Sequence, residues 1–141
     1  MLGLSHLLAL GFSPLSEPTT LWPNPQDAVH GTTQAIVAPG AAFFTLESGA
    51  SPLLDSAFAR YSAITFPHAS SHLVSADAIS AVKVSIVDLD ESHPQLGTDE
   101  SYTLSVGLAS ATVHAHTVYG GLRALETFSQ LVRFDFDAGA Y

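Results

Sequence analysis

Residues 117–132, Thr-Val-Tyr-Gly-Gly-Leu-Arg-Ala-Leu-Glu-Thr-Phe-Ser-Gln-Leu-Val, restrict what this chain can fold into more than any other stretch. Val118, Leu122, Leu125, Phe128 and Val132 recur at spacings of three and four, which places them on one stripe of an amphipathic helix. Thr117 sits where an N-cap is needed, because its hydroxyl can accept a backbone N–H of the first turn. Gly120 and Gly121 fall inside the helical pattern, where each costs about 1 kcal/mol relative to Ala. Two glycines kept there predict close approach of the helix backbone to a neighbour. Arg123 and Glu126 are spaced to pair across one turn, and Thr127 and Gln130 complete a polar set on the same helix.

The helix needs a partner layer, and the rest of the chain supplies strands. Residues 34–38 and 42–46 are short strand candidates, with the adjacent Phe43 and Phe44 expected on opposite sides. Ser51 followed by Pro52 is a helix start, and Leu54, Phe58 and Tyr61 continue it at helical spacing until Pro67. Residues 68–78 read as a polar loop. In 81–89, Val82, Val84 and Ile86 alternate with Lys83, Ser85 and Val87, the signature of a half-buried strand. Residues 88–98 form a charged turn. A hairpin follows, with strands at 101–106 and 111–116 around a loop at 107–110, and it runs straight into the 117–132 helix. Residues 133–136 are a short extended exit. These elements predict an α+β domain: a mainly antiparallel sheet with two helices packed on one face. The four prolines of residues 13–25 make an extended entry segment, in which Trp22 is expected to anchor against the fold.

Composition narrows the function. The chain has 141 residues, enough for one domain with a real core but too few for a (β/α)₈ barrel, which takes about 250. Thirteen acidic residues stand against four Lys and Arg, a net charge of −9. That balance opposes nucleic acid, which requires a basic footprint, and opposes an anionic membrane surface. With no cysteine there are no disulfides or thiolate metal sites, and the single Asn24 precedes Pro25, so no glycosylation sequon exists. The apolar run at 2–12 resembles a short signal-peptide core without a basic leader or a clear cleavage site.

The run from Asp99 to Val132, Asp-Glu-Ser-Tyr-Thr-Leu-Ser-Val and then the helix sequence above, closely resembles eukaryotic β-N-acetylhexosaminidases, family 20 glycoside hydrolases. The likeness is to their N-terminal domain, upstream of the catalytic barrel. Leu21, Trp22, Pro23, Asn24, Pro25 and Gln26 resemble the same family's opening motif, and residues 57–61, Ala-Phe-Ala-Arg-Tyr, its middle helix. The resemblance implies a zincin-like domain topology, a label that does not imply zinc. It divides the chain into a leader or disordered N-terminus at 1–20, the domain at 21–136 and a truncated linker toward an absent barrel at 137–141. It implies a hydrolase whose full-length form removes terminal non-reducing N-acetylglucosamine or N-acetylgalactosamine from glycoconjugates, on the secretory route (lysosome, vacuole or outside the cell). This chain is then the supporting domain and is inactive alone. Its partner is the catalytic barrel, with the glycan met only through that barrel, and no nucleic acid or membrane. The alternative is a free-standing interaction or carbohydrate-binding domain without catalysis.

Asp99 and Glu100 echo the family's adjacent catalytic pair, but neighbours on a strand point to opposite faces, so they read as a strand-start feature. His114 and His116 share one face of a strand and could begin a zinc site, yet catalytic zinc usually takes a third protein ligand and no His-Glu-x-x-His occurs. A small metallohydrolase built on them is the third alternative. Asp88, Asp90 and Glu91 lack the ladder of a calcium loop. No catalytic, cofactor-binding or metal residue is assigned, and no cofactor is expected. Gly120, Gly121, Arg123, Glu126, Phe128 and Gln130 are assigned to packing or to a domain interface.

Overall fold

The structure is a computed structural model that describes residues 20–70 and 77–141. The expected leader, apart from Thr20, and the middle of the 68–78 loop lie outside the described residues. Six elements follow in order: β1 (Phe44–Leu46), α1 (Pro52–Thr65), β2 (Val82–Asp88), β3 (Tyr102–Val106), β4 (Ala111–Thr117) and α2 (Val118–Leu131). Both helices begin where their caps predict. Ser51 Oγ accepts the Leu54 N–H at 3.1 Å, with Pro52 in the first turn, and Thr117 Oγ1 accepts the Gly120 N–H at 3.2 Å.

The four strands form one sheet in the order β1-β2-β4-β3. It is a mixed sheet, which corrects the mainly antiparallel expectation. β2 runs parallel to β1 and to β4, and only β3 and β4 pair antiparallel. The reason lies in the connections. α1 is the crossover that returns the chain parallel to β1, as parallel neighbours require. The long 89–101 connection then carries β3 to the outer edge, and the hairpin brings β4 back into the gap beside β2. Alternation alone is the same for both pairings, so it could not reveal this.

Residues 34–38 form no strand; they contribute one parallel bridge, Val37 with Ile79. Phe43 and Phe44 do not split between two sides. β1 starts only at Phe44, and both rings are buried against Phe128, at 5.8 and 5.7 Å between centroids.

Strand alternation decides which sheet face is covered. Val82, Val84 and Ile86 of β2 and Ala111, Val113 and Ala115 of β4 are buried in one core with Leu54 and Ala57 of α1 and Val118, Ala124, Leu125 and Phe128 of α2. The opposite face carries the exposed Lys83, His114, His116 and Thr103. The molecule is thus a helical layer on one side of a half-bare sheet. Beyond α2 the chain turns through a bridge between Asp135 and Ala140 and ends on Tyr141, which is buried. Its ring packs on Phe66 and Phe134, its hydroxyl bonds the His68 backbone, and its carbonyl accepts the Val37 N–H at 2.9 Å. Among the described residues no helix is long and apolar enough to cross a membrane.

Candidate functional site: the outer face of the helical layer

α2 is where sequence and packing meet most tightly. Gly120 lies against β3 and β4: a Cβ there would collide with the Ser101 carbonyl oxygen and come within 3.0 Å of the Ala115 methyl. Gly121 faces Ile86 and Leu54, and a Cβ would stand 2.9 Å from the Ile86 Cδ1. At both positions the helix lies close enough to its neighbour that an added methyl would crowd it. Phe128 is buried on the same inward side, with Leu125 and Ala124. Gly120, Gly121 and Phe128 thus serve contacts inside the domain.

Arg123, Glu126 and Gln130 lie on the outward side, with partners that spacing alone did not give. Arg123 does not pair with Glu126. Its Nε donates to Glu100 Oε2 at 2.7 Å, across to the residues preceding β3, and this carboxylate holds the guanidinium still more firmly in its charged form. Glu126 instead joins the two helices. Its Oε2 accepts the Tyr61 hydroxyl at 2.8 Å and its Oε1 accepts Gln130 Nε2 at 3.0 Å. Partial burial, followed by the bond to Glu126, pushes the Tyr61 phenol above its ordinary value.

Gln130 carries the network on to the entry segment. The Trp22 N–H donates to Gln130 Oε1 at 2.8 Å, and Gln130 Nε2 donates to the Trp22 carbonyl at 2.7 Å. One carboxamide thus pairs with one backbone residue as a strand neighbour would. Trp22 was expected to anchor through its ring, and the structure corrects this. Trp22 is largely exposed while Leu21 is buried, because successive residues of an extended chain point to opposite sides and leucine takes the inside.

These groups surround an open groove of about 560 Å³ on the outside of the helices. Trp22 and Pro23 form one wall, Arg60 and Tyr61 of α1 another, and Leu122, Arg123 and Glu126 of α2 a third. A smaller hollow of about 270 Å³ continues it past Pro94, Tyr119 and Leu122 toward Leu53. The loop after β2 holds this end in place. Glu91 Oε1 accepts the Ser51 hydroxyl at 2.6 Å and the Leu53 N–H at 3.0 Å, while the Tyr119 hydroxyl donates to the Ser92 carbonyl at 2.7 Å. Spacing gave no hint of Glu91 as a second cap on α1, because its partners are about forty residues away in sequence.

The other candidates are dispersed. Asp99 accepts the Ser101 N–H at 2.8 Å, and its hydrogen bonds with Ser101 hold its carboxyl below the usual range. Glu100 turns to Arg123, so the adjacent acids serve different neighbours. His114 and His116 both lie exposed on the bare sheet face, away from the groove. Among the described residues no three His, Asp or Glu side chains gather as metal ligands do. The groove's two carboxylates are each engaged, Glu100 by a guanidinium and Glu126 by a phenol and an amide. What this surface offers is a preorganised, mixed aromatic and charged face suited to contact.

The family described as beta-acetyl hexosaminidase like matches residues 21–131. Among curated proteins, the chain is 38% identical to "Beta-hexosaminidase 1" of Arabidopsis thaliana over 88% of its own length and 26% of that protein. It is 35% identical to "Beta-hexosaminidase subunit A1" of Dictyostelium discoideum, over 84% of this chain and 22% of the relative. It is 34% identical to "Beta-hexosaminidase subunit alpha" of Bos taurus, over 93% of this chain and 27% of the relative. The chain thus spans about a quarter of the length of these relatives.

Proposed function

Since this chain belongs to the beta-acetyl hexosaminidase-like family, we propose that it works as the N-terminal, non-catalytic domain of a β-N-acetylhexosaminidase. The full-length enzyme would hydrolyse terminal non-reducing N-acetylglucosamine and N-acetylgalactosamine from glycoconjugates, on the secretory route. The observation that carries this reading is the mismatch of coverage: nearly the whole chain matches, yet it accounts for about a quarter of the relatives. The catalytic carboxylates then belong to the remainder of the enzyme, in a barrel this chain is too short to build.

In this reading the layered α+β fold is the zincin-like topology of the family, and its helical layer faces the barrel. The arrangement of polar groups supports that orientation. The sheet's bare face is mostly polar, with Lys83, Ser85, Thr103, His114 and His116, and Val87 is its exposed apolar side chain. The helical face instead presents Trp22, Leu122 and Tyr119 around held charges. Apolar and aromatic groups mixed with arginine are the composition of interface cores.

The test is an assay with a chromogenic N-acetylglucosaminide on two proteins. One is this chain alone; the other is a chimera in which the chain replaces its matched segment in Arabidopsis Beta-hexosaminidase 1. No turnover by the chain and turnover by the chimera are expected. Robust turnover by the chain alone overturns the reading. A chimera that stays inactive, with its two parts melting separately, overturns the supporting role and favours a free-standing interaction domain.

A further inference from the structure

We propose that Trp22, with Arg60 beside it on the groove, is the anchor through which this domain grips the rest of its enzyme, and that the surface it meets presents an apolar recess next to a carboxylate. This rests on the supporting-domain reading and names the chemistry of the partner at that face.

Four observations converge. Trp22 is the chain's only tryptophan, and the residue is 81% exposed. Its backbone is nonetheless held at both the N–H and the carbonyl by Gln130, which Glu126 fixes in turn. A large aromatic whose position is set before contact loses little further freedom on binding, and such residues dominate interface energetics.

Charge supplies the second half. In a chain of net charge −9, this groove brings together two of the four cationic side chains, Arg60 and Arg123. Arg123 is already neutralised by Glu100. The Arg60 guanidinium lies over the Tyr61 ring, 5.3 Å from its centre, and makes no salt bridge among the described residues. A carboxylate arriving from a partner beside the indole would complete it, and guanidinium favours that planar pairing.

The occupant is the part of the enzyme that the relatives have beyond their matched quarter. A second copy of this chain is disfavoured, because it would bring a like charge of −9 to the contact.

The chimera described above tests this, through thermal melting of isolated chain and chimera side by side. Trp22→Ala is expected to leave the isolated chain within about 1 °C, since the ring is exposed, and to lower the chimera's melting point by about 5 °C. Arg60→Glu should act in the same direction, with Arg60→Lys restoring part of the loss. Lys83→Glu, on the bare sheet face, should change neither protein by more than its exposure warrants. An active chimera that melts as one unit and ignores Trp22→Ala and Arg60→Glu overturns the anchor while leaving the domain reading intact. Equal loss in the isolated chain overturns it as well, by assigning Trp22 to the domain's own stability. Sedimentation showing a dimer of the isolated chain that Trp22→Ala dissolves also overturns it, in favour of a second copy. An unmutated chimera that fails to assemble or hydrolyse removes the domain reading itself, an outcome the mutants are not needed to recognise.

Discussion

Gly120 and Gly121 look equivalent in the sequence, and the structure separates them. At Gly120 an added methyl meets the Ser101 backbone carbonyl, which sits at the entry to β3 and cannot yield cheaply. At Gly121 it meets the far end of the Ile86 side chain, which can change rotamer. Gly120→Ala is therefore expected to destabilise the chain by about 2–3 kcal/mol through overpacking. In Gly121→Ala the helix-propensity gain of about 1 kcal/mol offsets the milder crowding, leaving stability within about 1 kcal/mol of the parent. Urea unfolding midpoints at unchanged slope check both. A fall at Gly121→Ala as large as that at Gly120→Ala would show that Ile86 is locked. The helix pattern revealed that a neighbour approaches; which glycine meets backbone depends on β3, whose position no local pattern encodes. The same limit explains Arg123, whose nearest acid in sequence is Glu126 and whose nearest in space is Glu100.

Elements were easier to read than their arrangement. Caps, alternation and the hairpin are local, so both helices and β2, β3 and β4 follow from short windows. Residues 34–38 make one isolated bridge rather than a strand: Ile36 and Ala38 bond Ile79 on one side, while the Val37 N–H goes to the Tyr141 carbonyl. α1 shows how distant groups complete a locally specified element. Its N-terminus is held by Ser51 and by Glu91 from the loop after β2, which accepts two hydrogen bonds there. Ser51→Ala and Glu91→Ala are each expected to cost about 1–2 kcal/mol, as lost caps do. Because the two side chains bond each other, the double variant should lose less than the sum. Chemical denaturation of all four proteins measures the coupling, and strict additivity would mean that Glu91 and Ser51 act independently.

For the whole molecule, closure depends on Tyr141. Tyr141 ties three separate stretches together: Val37 through its carbonyl, His68 through its hydroxyl, and Phe66 and Phe134 through its ring. Tyr141→Ala is expected to cost about 3 kcal/mol, in the range of buried aromatic truncations. Tyr141→Phe should cost about 1 kcal/mol, the value of the hydroxyl's bonds. Hydrogen exchange would locate the effect. Protection should fall first at Val37 and in the turn after α1, and loss confined to residues 138–141 would contradict the tying role. The order of the strands also sets a timetable for the chain's birth. β4, the inner neighbour of both β2 and β3, is the last of these four strands to be synthesised. At roughly 5–20 residues per second, β2 leaves the ribosome seconds before the strand and helix that cover Val82, Val84 and Ile86. During that interval one side of the growing sheet has greasy residues and an open hydrogen-bonding edge. A nascent chain of this kind must be shielded or must collapse loosely until the hairpin and α2 arrive together.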